Sequence, residues 1–306
     1  MTRPRKQAVR HGYVVVDKPA GWTSHDVVAR VRRIVNEKRV GHAGTLDPAA
    51  VGVLPIAVGN ATRTIEYLAE ADKSYLADLT FGRTTDSADI EGQITSISEP
   101  VTLTRADVEL ALKAFRGKQL QRPPMHSAIK IDGQTLYQLA RKGEVVDVPQ
   151  REIEITALEL VHWDSLVARI LVRCSKGTYI RSLARDIGEM LGTGAFLSRL
   201  VRTRVGGFDL ADAWSLQDLA KQVEGGGWSG IALHPDVAML DYPALILGSF
   251  ERVDWLLGRQ VGITGGNGVV RVYDQEGLWL GVGHCYPELW LMKPVKVVHP
   301  FAQETQ

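Results

Sequence analysis

One carboxylate stands out for where it is held. Asp47 lies in Gly41-His42-Ala43-Gly44-Thr45-Leu46-Asp47-Pro48, a run that continues as Ala49-Ala50-Val51-Gly52-Val53-Leu54-Pro55. Proline fixes its own backbone and pushes the residue before it out of the helical region, so Asp47 is expected in an extended loop. Leu46 and the prolines offer little water, and Gly41 and Gly44 let another molecule's backbone or base come close. A rigidly held acid in a half-apolar loop suits a nucleophile or a general base. Taken alone, the same pattern far more often marks an aspartate that caps a helix or closes a turn.

The rest of the composition removes other chemistries. The 306 residues have room for one large domain and a small one. Cys174 and Cys285 lie far apart with no CxxC, so neither a zinc site nor a disulfide framework is expected, and a reducing cytoplasm fits. The eight histidines show no HExxH, and no metal is expected. Thr84-Thr85-Asp86-Ser87-Ala88-Asp89 lacks the order of an EF-hand, and Val223-Glu-Gly-Gly-Gly-Trp-Ser-Gly230 lacks the GK[ST] of a phosphate loop. The basic start Met1–Arg10 has no apolar run behind it, so no signal peptide is read there, and no stretch is long enough to span a membrane.

Net charge is only +1, but it is unevenly spread. Residues 1–63 hold eleven Lys and Arg against four acids, and residues 205–306 hold six against twelve. A polyanion would be drawn to the part that contains Asp47.

The elements that must position Asp47 are legible from periodicity. Gly12–Asp17 reads as a buried strand, Lys18-Pro19-Ala20-Gly21 as a turn, and Thr23 with Asp26 as a capping box. Val27, Val28, Val31, Ile34 and Val35 form a helical stripe. Val51–Val58 is apolar, and a short helix runs through Leu68. In the strand from Lys73, Tyr75, Ala77, Leu79 and Phe81 share one face. Thr104 opens a helix that stops at Gly117. Residues 121–151 form a basic, irregular excursion with Lys130, Arg141 and Lys142 and a short helix ending at Gly143. Strands Glu152–Trp163 and Leu166–Cys174 lead into a helix with the stripe Leu183, Ile187, Met190 and Leu191. The glycine-rich stretch near 225 reads as a flexible connection, and from about Pro243 short glycine-punctuated strands read as a small β module.

Four stretches in order resemble the TruB family of pseudouridine synthases. They are Asp17-Lys18-Pro19-Ala20-Gly21-Trp22-Thr23-Ser24; Val40–Pro48 with Gly52–Pro55 and Gly59-Asn60-Ala61-Thr62; Lys73-Ser74-Tyr75 with Gly82–Asp86 and Asp89; and Gly177-Thr178-Tyr179-Ile180-Arg181 through Asp186. The resemblance implies an α+β fold: a mixed, mainly antiparallel sheet with flanking helices, over residues 1–238, with residues 121–151 as a thumb-like insertion. Residues 239–306 would be a small PUA-like β domain. It implies isomerisation of a uridine in the T loop of tRNA to pseudouridine, by a monomer without cofactor or metal.

The resemblance also assigns roles. Asp47 matches the catalytic aspartate, and His42 the residue that enters the RNA and helps displace the base. Tyr75 matches the tyrosine that stacks on the target base and is the favoured proton acceptor. Tyr179 and Arg181 line the pocket with the arginine facing the aspartate, and Leu200 is an apolar wall. Lys18 is a candidate phosphate contact, although the turn at Pro19 and Gly21 points to a brace for the Asp47 loop.

Isomerisation breaks the bond from ribose C1′ to N1, turns the base and joins C1′ to C5. Attack on C1′, attack on C6 and removal of a sugar proton all require Asp47 ionised. Burial would raise its pKa and a guanidinium would lower it again. The flipped base loses stacking worth a few kcal/mol. Other readings are an RNA chaperone with catalysis secondary, a guide-dependent relative, and a hydrolase using Asp47 with His42. The acidic tail predicts only a local RNA contact, around Arg252, Arg259 and Arg271.

Overall fold

The computed structural model describes residues 10–98, 102–125, 127, 129–131, 133–141 and 146–299. The basic residues Arg3, Arg5 and Lys6 of the N-terminal arm, and His126, Ala128, Lys142 and Gly143 of the thumb-like segment, lie outside the described residues.

The chain opens with β1 (Gly12–Lys18), β2 (Val40–His42), β3 (Val51–Val58) and β4 (Lys73–Phe81). A small hairpin, β5 (Arg83–Thr85) and β6 (Ile94–Ile97), precedes β7 (Gly117–Gln121). A second, β8 (Lys130–Ile131) and β9 (Gln134–Thr135), lies within the thumb-like segment. Then come β10 (Arg151–Asp164), β11 (Val167–Cys174), β12 (Ala195–Val205) and β13 (Phe208–Asp209). The last five strands are β14 (Ala244–Leu247), β15 (Val261–Gly262), β16 (Gly268–Asp274), β17 (Trp279–Tyr286) and β18 (Leu291–Val297).

The first sheet has the order β1-β3-β12-β4-β11-β10-β7, with β2 on β3 and β13 on β12. All its pairings are antiparallel except β12 with β3. The mixed, mainly antiparallel α+β sheet expected from the sequence is therefore present. The parallel pairing has a local consequence, because Gly52 of β3 lies beside Arg202 of β12 at the edge of the Asp47 loop.

Alternation explains how the sheet is covered. Tyr75, Ala77, Leu79 and Phe81 are buried on one face of β4, against Val108 and Leu112 of the helix Arg105–Ala114 and Leu183 and Ile187 of the helix Ile180–Met190. Both this helix Arg105–Ala114 and the helix Ser24–Val35 start on a complete capping box, Thr104 with Asp107 and Thr23 with Asp26. Met190, expected in the buried stripe, is 57% exposed; the helix ends there, and Leu191 packs on the core instead. Each large apolar side chain fully buried this way contributes about 1.5–3 kcal/mol.

The glycine-rich stretch near 225 is no loose tether. Val223 and Trp228 are buried against Val14, Val27 and Val31, and Trp228 Nε1 donates to His11 O at 3.2 Å. The apolar ring supplies the anchor that glycine counting overlooks.

The second sheet has the order β14-β16-β17-β18-β15 around a fully buried Trp255, whose Nε1 donates to Leu280 O at 2.9 Å. Trp279, Val282 and Val298 share a core with Tyr13, Val53 and Phe208, so the two sheets are joined through apolar packing. Arg63 Nη1 donates to Val297 O at 2.6 Å across the same joint. The three arginines expected to reach RNA are engaged within the chain. Arg252 pairs with Asp274 at 3.1 Å, Arg259 with Asp254 at 3.0 Å, and Arg271 donates to Tyr242 O at 2.9 Å.

Candidate active site

The Asp47 loop is held from beneath by the segment that follows β1. Ser24 Oγ accepts from Leu46 N at 2.9 Å, and Gly21 N donates to Pro48 O at 2.9 Å. Lys18 is wholly buried, and its Nζ donates to the carbonyls of Pro19 (3.0 Å), Trp22 (2.6 Å) and Pro48 (3.1 Å). An ammonium has three protons to give, and three carbonyls take them. Lys18 is therefore the brace and not a phosphate contact: it has neither exposure nor a free donor. Burial lowers its pKa, with the nearby Asp47 pulling the other way.

Above this floor lies a cleft of about 580 Å³. Asp47, Tyr75, Tyr179, Arg181 and Leu200 all line it, so β4, β12, the loop and the start of the helix Ile180–Met190 converge on one space. His42 and Lys18 are not among the lining residues.

Arg181 Nε lies 3.0 Å from Asp47 Oδ2 and 3.5 Å from Asp89 Oδ2, and Arg181 Nη1 donates to Ser87 O at 3.4 Å. The arginine side chain is 6% exposed and that of Asp47 is 41% exposed, so the carboxylate faces the cleft while its counter-charge sits behind it. Asp89 is fixed in turn by Ser87 Oγ and by Glu91 N. Burial raises the Asp47 pKa; Arg181 opposes this, Asp89 adds to it, and the net displacement is upward. The expected counterweight is present but does not fully offset the lost water.

Tyr75 is buried, and burial pushes its phenol up to about 12. Tyr179 stands just before the helix, its backbone locked by Gln121: Tyr179 N donates to Gln121 Oε1 at 2.8 Å and Gln121 Nε2 donates to Tyr179 O at 3.1 Å. The Arg151 guanidinium covers the Tyr179 ring at 5.0 Å. Leu200, opposite Ala77 on β4, supplies an apolar wall. His42 sits on β2, half-buried, with its ring edge-on to His25 at 5.3 Å and Nδ1 buried without a partner among the described residues. Burial, then His25 and Arg202, lower its pKa to about 4.

Several residues around the cleft escaped sequence reasoning. Asp89 belongs to a stretch that carries the family resemblance, but nothing in the sequence gives it a place beside Arg181. Ser127 lines the cleft with its hydroxyl buried and unpartnered among the described residues. Arg202 is 1% exposed and lines the cleft from β12. In the sequence it is one of three arginines within six residues, Arg199, Arg202 and Arg204, and nothing there distinguishes it.

The fold recurs in solved structures. A Cbf5–Nop10–Gar1 complex contains a chain that superposes with a TM-score of 0.75 at 26% identity, over 97% of this chain and 87% of that one. An archaeal box H/ACA sRNP Nop10–Cbf5 complex gives 0.70 at 25% identity, over 92% and 81%. The tRNA pseudouridine synthase B of Trichormus variabilis (strain ATCC 29413 / PCC 7937) is 43% identical over 296 residues, 95% of this chain and 99% of the relative. That of Pseudomonas syringae pv. syringae (strain B728a) is 44% identical over 277 residues, 89% and 90% of the two chains. This fold together with relatives of that name and similarity defines a pseudouridine synthase, an isomerase.

The family models narrow the class. Residues 32–180 match the TruB family pseudouridylate synthase (N terminal domain), 181–226 the tRNA pseudouridylate synthase B C-terminal domain, and 243–289 the Pseudouridine synthase II TruB, C-terminal model. The chain belongs to the TruB family of pseudouridine synthases.

Proposed function

We propose that this chain converts a uridine in the T loop of tRNA, U55, to pseudouridine, acting as a cytoplasmic monomer. The name of the relatives, tRNA pseudouridine synthase B, supports tRNA as the substrate. The observation that carries the chemistry is the Asp47–Arg181 pair at 3.0 Å, opening on a cleft walled by two tyrosines and a leucine. Asp47 is the catalytic residue, and the cation beside it favours the charged form that any of the three routes needs. Tyr75 stacks on the flipped uracil, Tyr179 and Leu200 close the pocket, and Arg181 binds and charges the aspartate.

His42 acts outside the cleft, as a wedge in the space the base vacates. Its low pKa keeps it neutral near pH 7, so it contributes shape and stacking and not charge. The two-unit division, a catalytic part up to residue 238 with the thumb 121–151 and an RNA-contacting tail from 239, belongs to the same proposal. The internal pairing of Arg252, Arg259 and Arg271 makes the tail's share of affinity small.

The test is mass-shift mapping of pseudouridine in a bare T-stem-loop RNA, with no guide RNA or partner protein added. Pseudouridine at the T-loop uridine with the wild type and none with Asp47→Ala is the expected result. No product from the wild type on bare RNA would overturn the reading.

A further inference from the structure

Two buried lysines of the chain differ in what their ammonium groups meet. Lys18 has three carbonyls for its three protons and does not line the cleft. Lys73 is 9% exposed and does line it. Its Nζ donates to only two carbonyls, Ala69 O at 2.8 Å and Ala71 O at 2.5 Å. An ammonium has three protons, so one is left over. No further acceptor and no carboxylate at ion-pair distance meets it among the described residues, and Glu70 is paired with Lys176 instead.

Both carbonyls come from one segment, 69–71, and hold the ammonium from one side. The space that Lys73 lines on another side is the cleft of Asp47 and Tyr75. A buried cation held by neutral carbonyls alone is poorly compensated. Burial, with the like charge of Arg202, accordingly pushes the amine down to about 8. What the site lacks is an anion, and RNA brings one with every nucleotide.

Its place on the strand says which anion. Lys73 and Tyr75 are two residues apart on β4, on the same face, about 7 Å along the strand. With a uracil stacked on Tyr75, that span is the length of a single nucleotide. A uracil carbonyl in reach of Lys73 would be one more neutral acceptor, whereas a phosphate would supply the missing charge. We infer that Lys73 binds a backbone phosphate flanking the flipped uridine, giving its third proton to a phosphate oxygen. This deepens the proposed function and rests on it. Because the ammonium sits within the cleft, the contact forms only with a nucleotide that has left its stack, and it helps offset the stacking lost in flipping.

The test measures affinity of the full chain for T-stem-loop RNA across a salt series. The RNA is used unmodified and with a neutral methylphosphonate at each of the two phosphates flanking the T-loop uridine. With the wild type, one of the two replacements should weaken binding about 10-fold and reduce the slope of log affinity against log salt by about 0.7–0.9. Lys73→Met should show the same loss and slope on unmodified RNA, and less than about 2-fold further loss with that methylphosphonate. Lys73→Arg should keep the wild-type slope. If Lys73→Met does not fold, Lys73→Gln takes its place, since its amide has two protons for the two carbonyls and no charge.

A lysine that only braced the 69–71 segment would lower thermal stability and leave the salt slope unchanged. An unchanged slope in the uncharged variant overturns the inference, as does a methylphosphonate loss as large in that variant as in the wild type, or no loss at either phosphate. A wild type that forms no pseudouridine on this RNA removes the functional reading itself, so product formation by the wild type tells the two failures apart.

Discussion

Arg181 and Asp47 meet at 3.0 Å with opposite exposures: the guanidinium is sealed from water, and the carboxylate looks into the cleft. Asp89 stands behind the same arginine at 3.5 Å. One buried cation is therefore shared by two acids, of which only Asp47 lines the cleft.

Asp47→Ala should abolish pseudouridine formation, a loss of at least about 10³-fold in rate. RNA binding should survive within a few-fold, because the basic surface is untouched. Retention of an effect on tRNA folding by this variant, measured as charging or melting of misfolded tRNA, would favour the chaperone reading. The melting temperature should not fall at neutral pH, because the folded pKa of Asp47 is raised and its ionisation costs stability there.

The pH profile follows from the same direction. Activity should be lost as pH falls through the Asp47 pKa, which lies above the ordinary carboxylate value of 3.8. Asp89 is one of the groups that push it up. Asp89→Asn should move the acid limb of the profile to lower pH while slowing the reaction, since it removes a like charge and also unbalances Arg181. An acid limb that does not move would show that the limb belongs to another group.

Lys18→Met should act through the fold of the loop. It leaves three buried carbonyls without their donor, at about 1 kcal/mol or more each, so a loss of about 3 kcal/mol in urea unfolding is expected. The slope of RNA affinity against salt should stay unchanged, because a lysine that touches no phosphate releases no counterion. A slope reduced by about one would restore Lys18 as an RNA contact.

Gly52→Ala should be damaging without touching substrate. The backbone at φ +102° is strained for alanine, and the new Cβ meets Arg202 O at 2.3 Å. A loss of about 2–4 kcal/mol is expected, together with slower turnover, because β3 and β12 would separate beside the Asp47 loop. Thermal unfolding and single-turnover rates check the two effects separately.

What the sequence by itself determined is what depends on neighbours along the chain. The capping box at Thr23, the helix start at Thr104, the alternation Tyr75-Ala77-Leu79-Phe81, and the punctuated loop around Asp47 are local patterns, and they recur in the folded protein. The TruB resemblance extended this to Asp47, Tyr75, Tyr179, Arg181 and Leu200, which the fold gathers around one cleft. Tertiary structure alone decided the rest. Lys18 is a brace because three carbonyls from two segments surround it, Asp89 meets Arg181 across a long separation in the chain, and Arg202 stands opposite Tyr75 because β12 pairs with β4. Trp228 anchors a glycine-rich stretch, and the tail's arginines are spent on its own acids and carbonyls. Burial and pairing are properties of neighbours in space, and a charge or ring has the same letter in the sequence whether water or another side chain surrounds it.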